Sequence, residues 1–304
     1  MKLSILLPYK ENFSPQYPGA VSLFINETSN ISRYKKNIKV YGSTKFKTLF
    51  NIKYQNINLE KRYVGSQSRN YINKFIKFER KEPSKLIEIH NRPIYLKFLS
   101  SRLNKRTYTL FFHNDPLSME GSKSISDRNF LLKLCYRIIF NSNWSKNRFL
   151  EGLDNKYVNS EKLKVFYQSA KKGNLKYTKN KKNWITFVGK LNRAKGYDIF
   201  GEAIIKVLNK NKNWRAKIVG DEKREKINFY HKNIDKLGFL NHSSVLSLYK
   251  KSSIAVVCSR WEEPFGRTSL EAGANGCAVI ISNKGGLPET VTNYKLLNNL
   301  DPNE

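Results

Sequence analysis

Residues 260–289, RWEEPFGRTSLEAGANGCAVIISNKGGLPE, decide how this chain folds. An apolar run over 253–257 precedes this segment, and a second apolar run, 278–281, lies inside it. That order predicts a buried strand, a loop, a helix and a second buried strand. Open α/β sheets bind ligands beyond the carboxyl ends of their strands. The loop between the first strand and the helix is therefore the expected binding site.

Two acids stand in this segment where a small polar ligand would bind. Glu263 ends the predicted loop, and Glu271 is expected two turns into the helix, so both carboxylates can face one ligand. Between them, Phe265, Gly266 and Arg267 begin the helix, where free backbone N–H groups and the positive dipole end suit a phosphate. Carboxylates for hydroxyls beside amides for phosphate indicate a site for a sugar nucleotide.

The same residues resemble a known family, the retaining glycosyltransferases of family 4. The family signature has two glutamates separated by seven residues, Phe-Gly after the first, and Gly-Gly-x-Pro-Glu downstream. Glu263, Glu271, residues 265–266 and residues 285–289 match this signature. The resemblance implies the α/β fold GT-B, with two Rossmann-like domains whose parallel sheets face each other across a cleft. The alternative is an exposed helix with two solvated acids, which would make the separate matches accidental.

Length and patterning favour two domains. The chain has 304 residues, 39% of them hydrophobic, which is enough for about two globular cores. We expect an acceptor-side Rossmann-like domain over 1–170, a basic linker over 171–183, and a donor-binding Rossmann-like domain over 184–304. Residues 301–304, Asp-Pro-Asn-Glu, predict a helix start with no helix after it. The last domain is therefore expected to be incomplete, without its final helices, and the chain to be truncated at its C-terminus.

Strands and helices are expected to alternate along the chain, which is typical of parallel sheets. The predicted strands are 2–9, 38–41, 86–90, 107–113, 163–167, 184–191, 216–220, 237–240, 253–257 and 278–281. The predicted helices outside the glutamate segment are 20–31, 92–103, 124–140, 197–208 and 243–251.

The net charge of +32 has three possible explanations. A basic surface can bind nucleic acid, dock on anionic lipid at about 1 kcal/mol per near-surface cation, or simply be solvated. The sequence has neither a compact nucleic-acid motif nor interleaved stacking aromatics, so we expect no nucleic acid partner. Its three cysteines have no metal-ligand spacing and indicate reduced thiols, as in a cytoplasmic protein. An anionic membrane surface, on the inner face, remains a candidate docking partner.

A basic loop follows the predicted strand 184–191. Fixed cations there would stabilise the negative charge that develops on a diphosphate leaving group. The resemblance assigns Lys190 and Lys195 to this role, with Lys190 standing where the family has an arginine. An ammonium lacks the bidentate fork of a guanidinium, and Arg193 is the candidate substitute. An ordinary basic loop in a basic protein is the alternative.

Two histidines end predicted strands of the first domain. His90 and His113 both fall at carboxyl ends, although a single histidine is usually structural. By resemblance, His113 lies near the donor sugar, where its neutral ring or its backbone carbonyl would hydrogen-bond the sugar. His90, Asn91 and Arg92 would line the acceptor side.

One glycine and the two other histidines complete the candidates. Gly19 matches the glycine of the family's first loop, where the absence of a Cβ lets backbone amides at a helix start approach a phosphate or sugar. His231 and His242 are expected to be structural.

The resemblance implies sugar transfer from a UDP- or GDP-sugar to a glycan or lipid-linked acceptor of the cell envelope, such as lipopolysaccharide. It implies retention at the anomeric carbon, with His113 and Glu263 as candidate catalytic residues and Glu271 on the ribose diol. The sequence contains no Asp-x-Asp, so no metal and no cofactor are expected. Two alternatives stay open: a sugar-nucleotide epimerase on a related fold, and a basic nucleic-acid-binding protein.

Overall fold

The computed structural model describes residues 2–59, 66–170 and 181–303. The chain divides into two compact units, Met1–Phe166 and Tyr167–Glu304, and each is an α/β structure around a parallel sheet, as expected. Most of the expected linker, 171–180, lies outside the described residues, and residues 182 and 183 belong to the first strand of the second unit.

Seven parallel strands form the sheet of the first unit, in the order β3-β2-β1-β4-β5-β6-β7. The strands are β1 (Leu3–Leu6), β2 (Ile38–Gly42), β3 (Tyr54–Asn56), β4 (Leu86–His90), β5 (Thr107–Phe112), β6 (Arg137–Phe140) and β7 (Leu163–Val165). The helices are α1 (Ala20–Ile31), α2 (Gln67–Lys81), α3 (Ile94–Ser100), α4 (Ile125–Leu134) and α5 (Asn143–Leu150). The order of strands reverses between β1 and β4, so the loops after these two strands start at the switch point.

Both faces of β1 are buried, which explains why three of its four residues are apolar. Leu6 belongs to one hydrophobic cluster with Tyr41 and with Phe75 of α2. Ile5 belongs to another cluster, together with Phe24 of α1. Successive side chains of a strand point to opposite faces of the sheet, so β1 contributes to the two cores alternately.

Six parallel strands form the sheet of the second unit, in the order β10-β9-β8-β11-β12-β13. The strands are β8 (Lys182–Val188), β9 (Arg215–Val219), β10 (Ile234–Lys236), β11 (Ser252–Val257), β12 (Ala278–Ser282) and β13 (Lys295–Leu297). The helices are α6 (Tyr197–Lys210), α7 (His242–Lys251) and α8 (Arg267–Ala274). Here the order reverses between β8 and β11, and the loops after these two strands carry the basic residues and Glu263.

The predicted helix 124–140 is wrong in its second half. Its start is confirmed, because Ser124 forms a capping box, but α4 ends at Leu134 and the chain continues into β6. Ile138 follows Leu134 at helical spacing, and spacing alone cannot separate a helical turn from a short buried strand.

Several other elements differ from the prediction. The strand expected over 237–240 lies earlier, as β10, and the helix expected over 92–103 is confined to α3. Four elements were not predicted at all: β3, α2, α5 and β13. In α2 the buried Tyr71, Ile72, Phe75 and Ile76 are surrounded by polar residues, which dilute the apolar pattern.

No helix in the described part of the chain is long and apolar enough to span a membrane. The three cysteines, Cys135, Cys258 and Cys277, are buried and free.

Candidate active site

The loops that follow β8 and β11 are bonded to each other at the switch point of the second unit. The carbonyl oxygen of Ala194 accepts hydrogen bonds from Arg260 N (2.9 Å), Trp261 N (3.0 Å) and Ser259 Oγ (3.0 Å). Gly196 has a φ of +72°, and a Cβ there would collide with the carbonyl of Cys258. Glycine is therefore required for this close approach, and the approach fixes one loop against the other.

Lys195 and Glu263 meet where these two loops join. Lys195 Nζ donates a hydrogen bond to Glu263 Oε1. The side chain of Asn192 orients this segment by accepting from Lys195 N at 3.0 Å. Glu263 is nearly buried and Lys195 is about one-third exposed, with side-chain exposures of 11% and 32%. The contact leaves a partly open ammonium beside a carboxylate at the ligand-binding edge of the sheet.

The Gly-Gly segment downstream holds the backbone of Glu263. Gly286 N donates to the carbonyl oxygen of Glu263 at 2.6 Å, and Gly285 N donates to Glu262 Oε2 at 2.6 Å. Gly285 has a φ of +59°, and a Cβ there would collide with the backbone of Glu263. The two parts of the sequence signature are thus in direct contact, and the second part positions the first.

The first turn of α8 begins beside this carboxylate. Gly266 precedes the helix with a φ of +114°, and among the described residues no side chain caps the helix. A Cβ on Gly266 would collide with Leu287, and Phe265 is buried with 3% of its surface exposed. The amide end of α8 is therefore uncapped by a side chain and can hydrogen-bond an anion.

Glu271 is buried and held by two side chains. It is the fifth residue of α8, so the expected depth of two turns is too large by most of a turn. Arg267 Nε donates to Glu271 Oε1 at 2.6 Å, and His242 Nε2 lies 2.8 Å from the same oxygen. In the described part of the chain every hydrogen bond to this carboxylate ends on Oε1. The other oxygen, Oε2, is the one available for a ligand.

His242 was expected to be structural, but it contacts a candidate binding residue. It lies in the first turn of α7, which is capped by Asn241, whose side chain accepts from Ser244 N at 2.9 Å. The residues of this contact, His242 and Glu271, are 29 positions apart. No local motif marks such a pair, so the sequence offered no signal for it.

Lys190 and Arg193 do not join Lys195 and Glu263 through any described contact. Lys190 is exposed. Arg193 Nη1 points instead to Asp198 Oδ2 of α6, at 3.4 Å, and its side chain is 73% exposed. Arg260 holds the same carboxylate more closely, with a fork at 2.6 and 2.9 Å. Of the three predicted cations, the structure brings only Lys195 to the glutamate.

In the first unit, His90, Asn91 and His113 form one buried cluster at the carboxyl ends of β4 and β5. His90 Nδ1 lies 2.9 Å from His113 Nε2. Asn91 has a φ of +55°, and its Oδ1 accepts from His113 N (2.8 Å) and Asn114 N (3.1 Å). The sequence assigned these residues to opposite sides of the reaction, whereas the structure joins them by hydrogen bonds.

Both rings of this pair are neutral at pH 7. Burial lowers the pKa of His90 to about 3, and burial with the neighbouring His90 lowers the pKa of His113 well below its usual value. Phe111 stacks on the His90 ring at a centroid distance of 4.5 Å, which adds to its desolvation. Burial also raises the pKa of Glu88 to about 7, and its Oε2 lies 3.7 Å from His90 Nε2. The pair can hydrogen-bond a ligand without carrying positive charge.

Gly19 lies at the start of α1, but a residue of the chain occupies the space beside it. A Cβ on Gly19 would collide with the carboxylate of Glu11, whose Oε1 accepts from Ser22 N at 3.1 Å. The first turn of α1 thus binds Glu11 where a phosphate or sugar was expected. Burial raises the pKa of Glu11. Arg92, from the loop after β4, donates through Nη1 to the carbonyl oxygen of Asn91 at 2.9 Å.

Comparison with solved structures settles the fold. The crystal structure of Anabaena Alr3699/HepE in complex with UDP-glucose superposes with a TM-score of 0.73, at 16% identity, over 99% of this chain and 87% of that one. The fold is GT-B. The crystal structure of WaaG, a glycosyltransferase involved in lipopolysaccharide biosynthesis, superposes with a TM-score of 0.60, at 12% identity, over 94% of this chain and 82% of that one.

The match to a family model lies in the second unit. Residues 167–302 match the family model described as glycosyl transferases group 1. Spore coat protein SA of Bacillus subtilis is 29% identical over 127 residues, 38% of this chain and 34% of that protein. An uncharacterized glycosyltransferase, MJ1607 of Methanocaldococcus jannaschii, is 35% identical over 115 residues, 35% of this chain and 29% of that protein. The chain thus spans about a third of the length of these curated relatives.

Proposed function

We propose that this protein is a retaining glycosyltransferase that moves a sugar from a UDP- or GDP-sugar to a hydroxyl group, without a metal ion. The observation that carries the proposal is the contact between Lys195 and Glu263 at the switch point of the second unit. This contact lies just before the start of α8, in the segment that matches a glycosyltransferase family model.

Lys195 and the first turn of α8 would bind the diphosphate. An ammonium has three donors, so Lys195 can bond Glu263 and a phosphate oxygen at the same time. The amides after Phe265 supply further donors and the positive end of a helix dipole. Negative charge grows on the departing diphosphate as the glycosidic bond breaks, and donors already in place lower the barrier to that step. The backbone amides and the Lys195 ammonium would stabilise the charge that a divalent metal ion stabilises at other phosphate-binding sites.

The two glutamates would bind hydroxyl groups of the donor. The nearly buried carboxylate of Glu263 adjoins Lys195 and would accept from hydroxyls of the sugar. Glu271, held through Oε1 by Arg267 and His242, would bind the ribose diol through Oε2. Lys190 and Arg193 would contribute long-range charge, since neither contacts this group in the described structure.

The histidine pair would contact the donor sugar from the first unit. The transition state of glycosyl transfer has oxocarbenium character, so a positive imidazolium beside it would be unfavourable. A neutral pair avoids that repulsion. The Nε2 atom of His113 lies 2.9 Å from His90 Nδ1, and the backbone carbonyl of His113 accepts from Asn141 Nδ2 at 3.1 Å, so both contacts hold the ring in place.

Retention would follow from front-face attack. The acceptor hydroxyl would enter on the side from which the phosphate leaves, and a phosphate oxygen would take its proton. The phosphate then serves as the base, so the pair of carboxylates used as nucleophile and acid in glycoside hydrolysis is not required.

The acceptor would be a glycan or lipid-linked glycan presented at the cytoplasmic face of a membrane. A net charge of +32 would attract the chain to anionic lipid. WaaG, whose fold is similar, is involved in lipopolysaccharide biosynthesis, which supports an envelope glycan as the acceptor class.

The test is a transfer assay with a panel of radiolabelled UDP- and GDP-sugars, run with and without a chelator. We expect one donor to be hydrolysed or transferred, with NMR of the product showing the donor's anomeric configuration and with no effect of the chelator. Glu263→Gln should abolish the activity, whereas Glu202→Gln, an exposed acid on α6, should not. Interconversion of two sugar nucleotides would indicate the epimerase instead, and RNA binding without donor affinity would contradict the proposal.

A further inference from the structure

A second concave surface lies in the first unit, on the exposed side of α2, and contains none of the candidate active-site residues. It is a pocket of about 420 Å³, which we call the α2 pocket. Its polar lining residues are Asn70, Asn73, Lys74, Lys77 and Arg80 of α2, and Arg102 from the turn after α3. The α2 residues recur at spacings of three and four, so they share one face of the helix.

Three cations of the α2 pocket have no acidic partner among the residues that the structure describes. Lys77, Arg80 and Arg102 are exposed, and none forms an ion pair with a carboxylate in the described part of the chain. Arg102 Nη1 donates to Asn73 Oδ1 at 2.5 Å, but that amide is neutral and does not compensate the guanidinium charge. The pocket therefore presents positive charge to whatever enters it.

The acids nearest in sequence to these cations are bound elsewhere. Glu79 is fully buried on the other side of α2, where its carboxylate accepts from Ser4 and Ser84 and lies 3.6 Å from Arg106. Glu82 pairs with Lys39 at 3.0 Å. Neither acid neutralises the α2 pocket, so its charge is available for an anion.

Asn70 provides an independent indication of a ligand. It is 3% exposed, and its Nδ2 atom is buried with no hydrogen-bond partner among the described residues. Buried amide donors are nearly always satisfied, and an unsatisfied one costs about 1–3 kcal/mol. Asn70 lines the pocket beside the three cations. An oxygen atom of an anionic ligand would satisfy this donor.

We propose that the α2 pocket binds a phosphate group. Two guanidinium groups, an ammonium and a buried amide donor match the oxygens of a phosphate, and arginine can bind two of them at once. A volume of about 420 Å³ exceeds that of phosphate alone, so the phosphate would carry an attached group such as glycerol or a sugar. The source is either a phospholipid headgroup or a free phosphorylated molecule. This site does not depend on the proposed sugar transfer.

The test compares two triple variants of the full chain. Lys77→Gln/Arg80→Gln/Arg102→Gln removes the three pocket cations, and Lys36→Gln/Lys47→Gln/Lys133→Gln removes three exposed cations elsewhere in the first unit. Both lower the net charge equally, so a difference between them reports the pocket and not the overall field. Thermal unfolding checks that both variants fold.

Two binding assays separate the sources. Calorimetry with inorganic phosphate and with glycerol 3-phosphate tests free ligands, and sedimentation with phosphatidylglycerol or phosphatidylcholine vesicles tests lipid. We expect the pocket variant to bind at least about tenfold more weakly than the control variant in one of the two assays, and that assay identifies the source. Asn70→Asp, which replaces the donor by an acceptor, should weaken the same binding. The proposal is overturned if the wild type binds neither the free phosphates nor the phosphatidylglycerol vesicles, or if the two triple variants bind them alike.

Discussion

Lys195 is the side chain on which the proposed chemistry depends most, because it contacts Glu263 and remains partly open to a ligand. We predict that Lys195→Gln lowers kcat about 10²- to 10³-fold, the usual loss when one preorganised donor to a developing anion is removed. Lys190→Gln should have a much smaller effect, since Lys190 is exposed and contacts neither residue. Steady-state kinetics of the three proteins decide this, with Lys250→Gln on α7 as a surface control. Equal losses in the Lys195 and Lys190 variants would contradict the assignment.

His242 is predicted to act through Glu271 on donor binding. His242→Ala removes one hydrogen bond to the buried carboxylate, worth roughly 1–1.5 kcal/mol, which is about a tenfold rise in KM for the donor. The kcat should change little, because the ribose is bound alike in the ground and transition states. His242→Gln keeps a donor and should restore most of the affinity. Ser247→Ala, on the exposed side of α7, is the matched control. A loss of kcat without a change in KM would refute this role.

The buried state of His90 predicts a pH dependence of stability. Its pKa in the folded protein is about 3, below the value of about 6.5 for an exposed histidine. Between these values the unfolded chain binds an additional proton, so the stability contributed by neutral His90 is present above pH 6.5 and is lost as the pH falls. His90→Asn removes this proton. As the pH falls from 6 to 4, the free energy of unfolding of the His90→Asn variant should therefore fall less steeply than that of the wild type. The two slopes should differ by about 1.4 kcal/mol per pH unit.

Denaturant titrations of the wild type and His90→Asn across that range measure the difference directly. Groups that do not contact His90 titrate alike in both proteins and cancel in the comparison. Parallel pH profiles would show that His90 is protonated in the folded protein, contrary to its burial.

The sequence indicated individual site residues better than their partners. Glu263, Glu271 and Lys195 follow the ends of β11 and β8, as the predicted succession of strand, loop and helix along the chain required. Their contacts were not predictable, since Lys195 and Glu263 are 68 positions apart and their side chains meet only after both loops fold. Glu11 is a contact that the sequence did not predict. Its carboxylate lies against Gly19 at the start of α1, where a phosphate or sugar was expected to bind.

At the scale of elements, the turn after β12 that contains Gly285 and Gly286 should be essential for the position of Glu263. Gly285 and Gly238 both have positive φ, +59° and +66°, but a Cβ on Gly285 would meet the Glu263 backbone whereas Gly238 has open space. We predict that Gly238→Ala costs only the backbone strain, about 1–2 kcal/mol. Gly285→Ala should cost more and also weaken donor binding. Urea unfolding and donor titration of both variants test this, and equal costs would contradict the contact.

Elements with a clear apolar period were predicted closely, and those without one were missed. The helix over 20–31 and the strand over 86–90 have the predicted bounds as α1 and β4. In contrast, α4 and β6 were merged, because the short apolar strand follows the helix at helical spacing. The helix α2 was missed because basic and other polar residues interrupt its apolar pattern, and Lys74, Lys77 and Arg80 among them line the α2 pocket.

At the scale of the whole molecule, alternating strands and helices sufficed to predict two parallel-sheet units. The order of strands within each sheet did not follow from the pattern, yet it is this order that brings the loops after β8 and β11 together. The net charge of +32 belongs to the whole chain and does not by itself identify a binding site. A site is indicated only where cations without an acidic partner can be distinguished from those that form ion pairs. Which cations are paired depends on the folded structure and not on composition.

The most direct test of the proposed donor site is a calorimetric titration of UDP- and GDP-sugars into the full chain, its Lys195→Gln variant and its Glu263→Gln variant. One donor should bind the wild type and bind each variant at least about tenfold more weakly, the loss expected for a charge-assisted hydrogen bond. If no donor binds the folded wild type, or if both variants bind as tightly as the wild type, the second unit does not hold a sugar nucleotide through these residues.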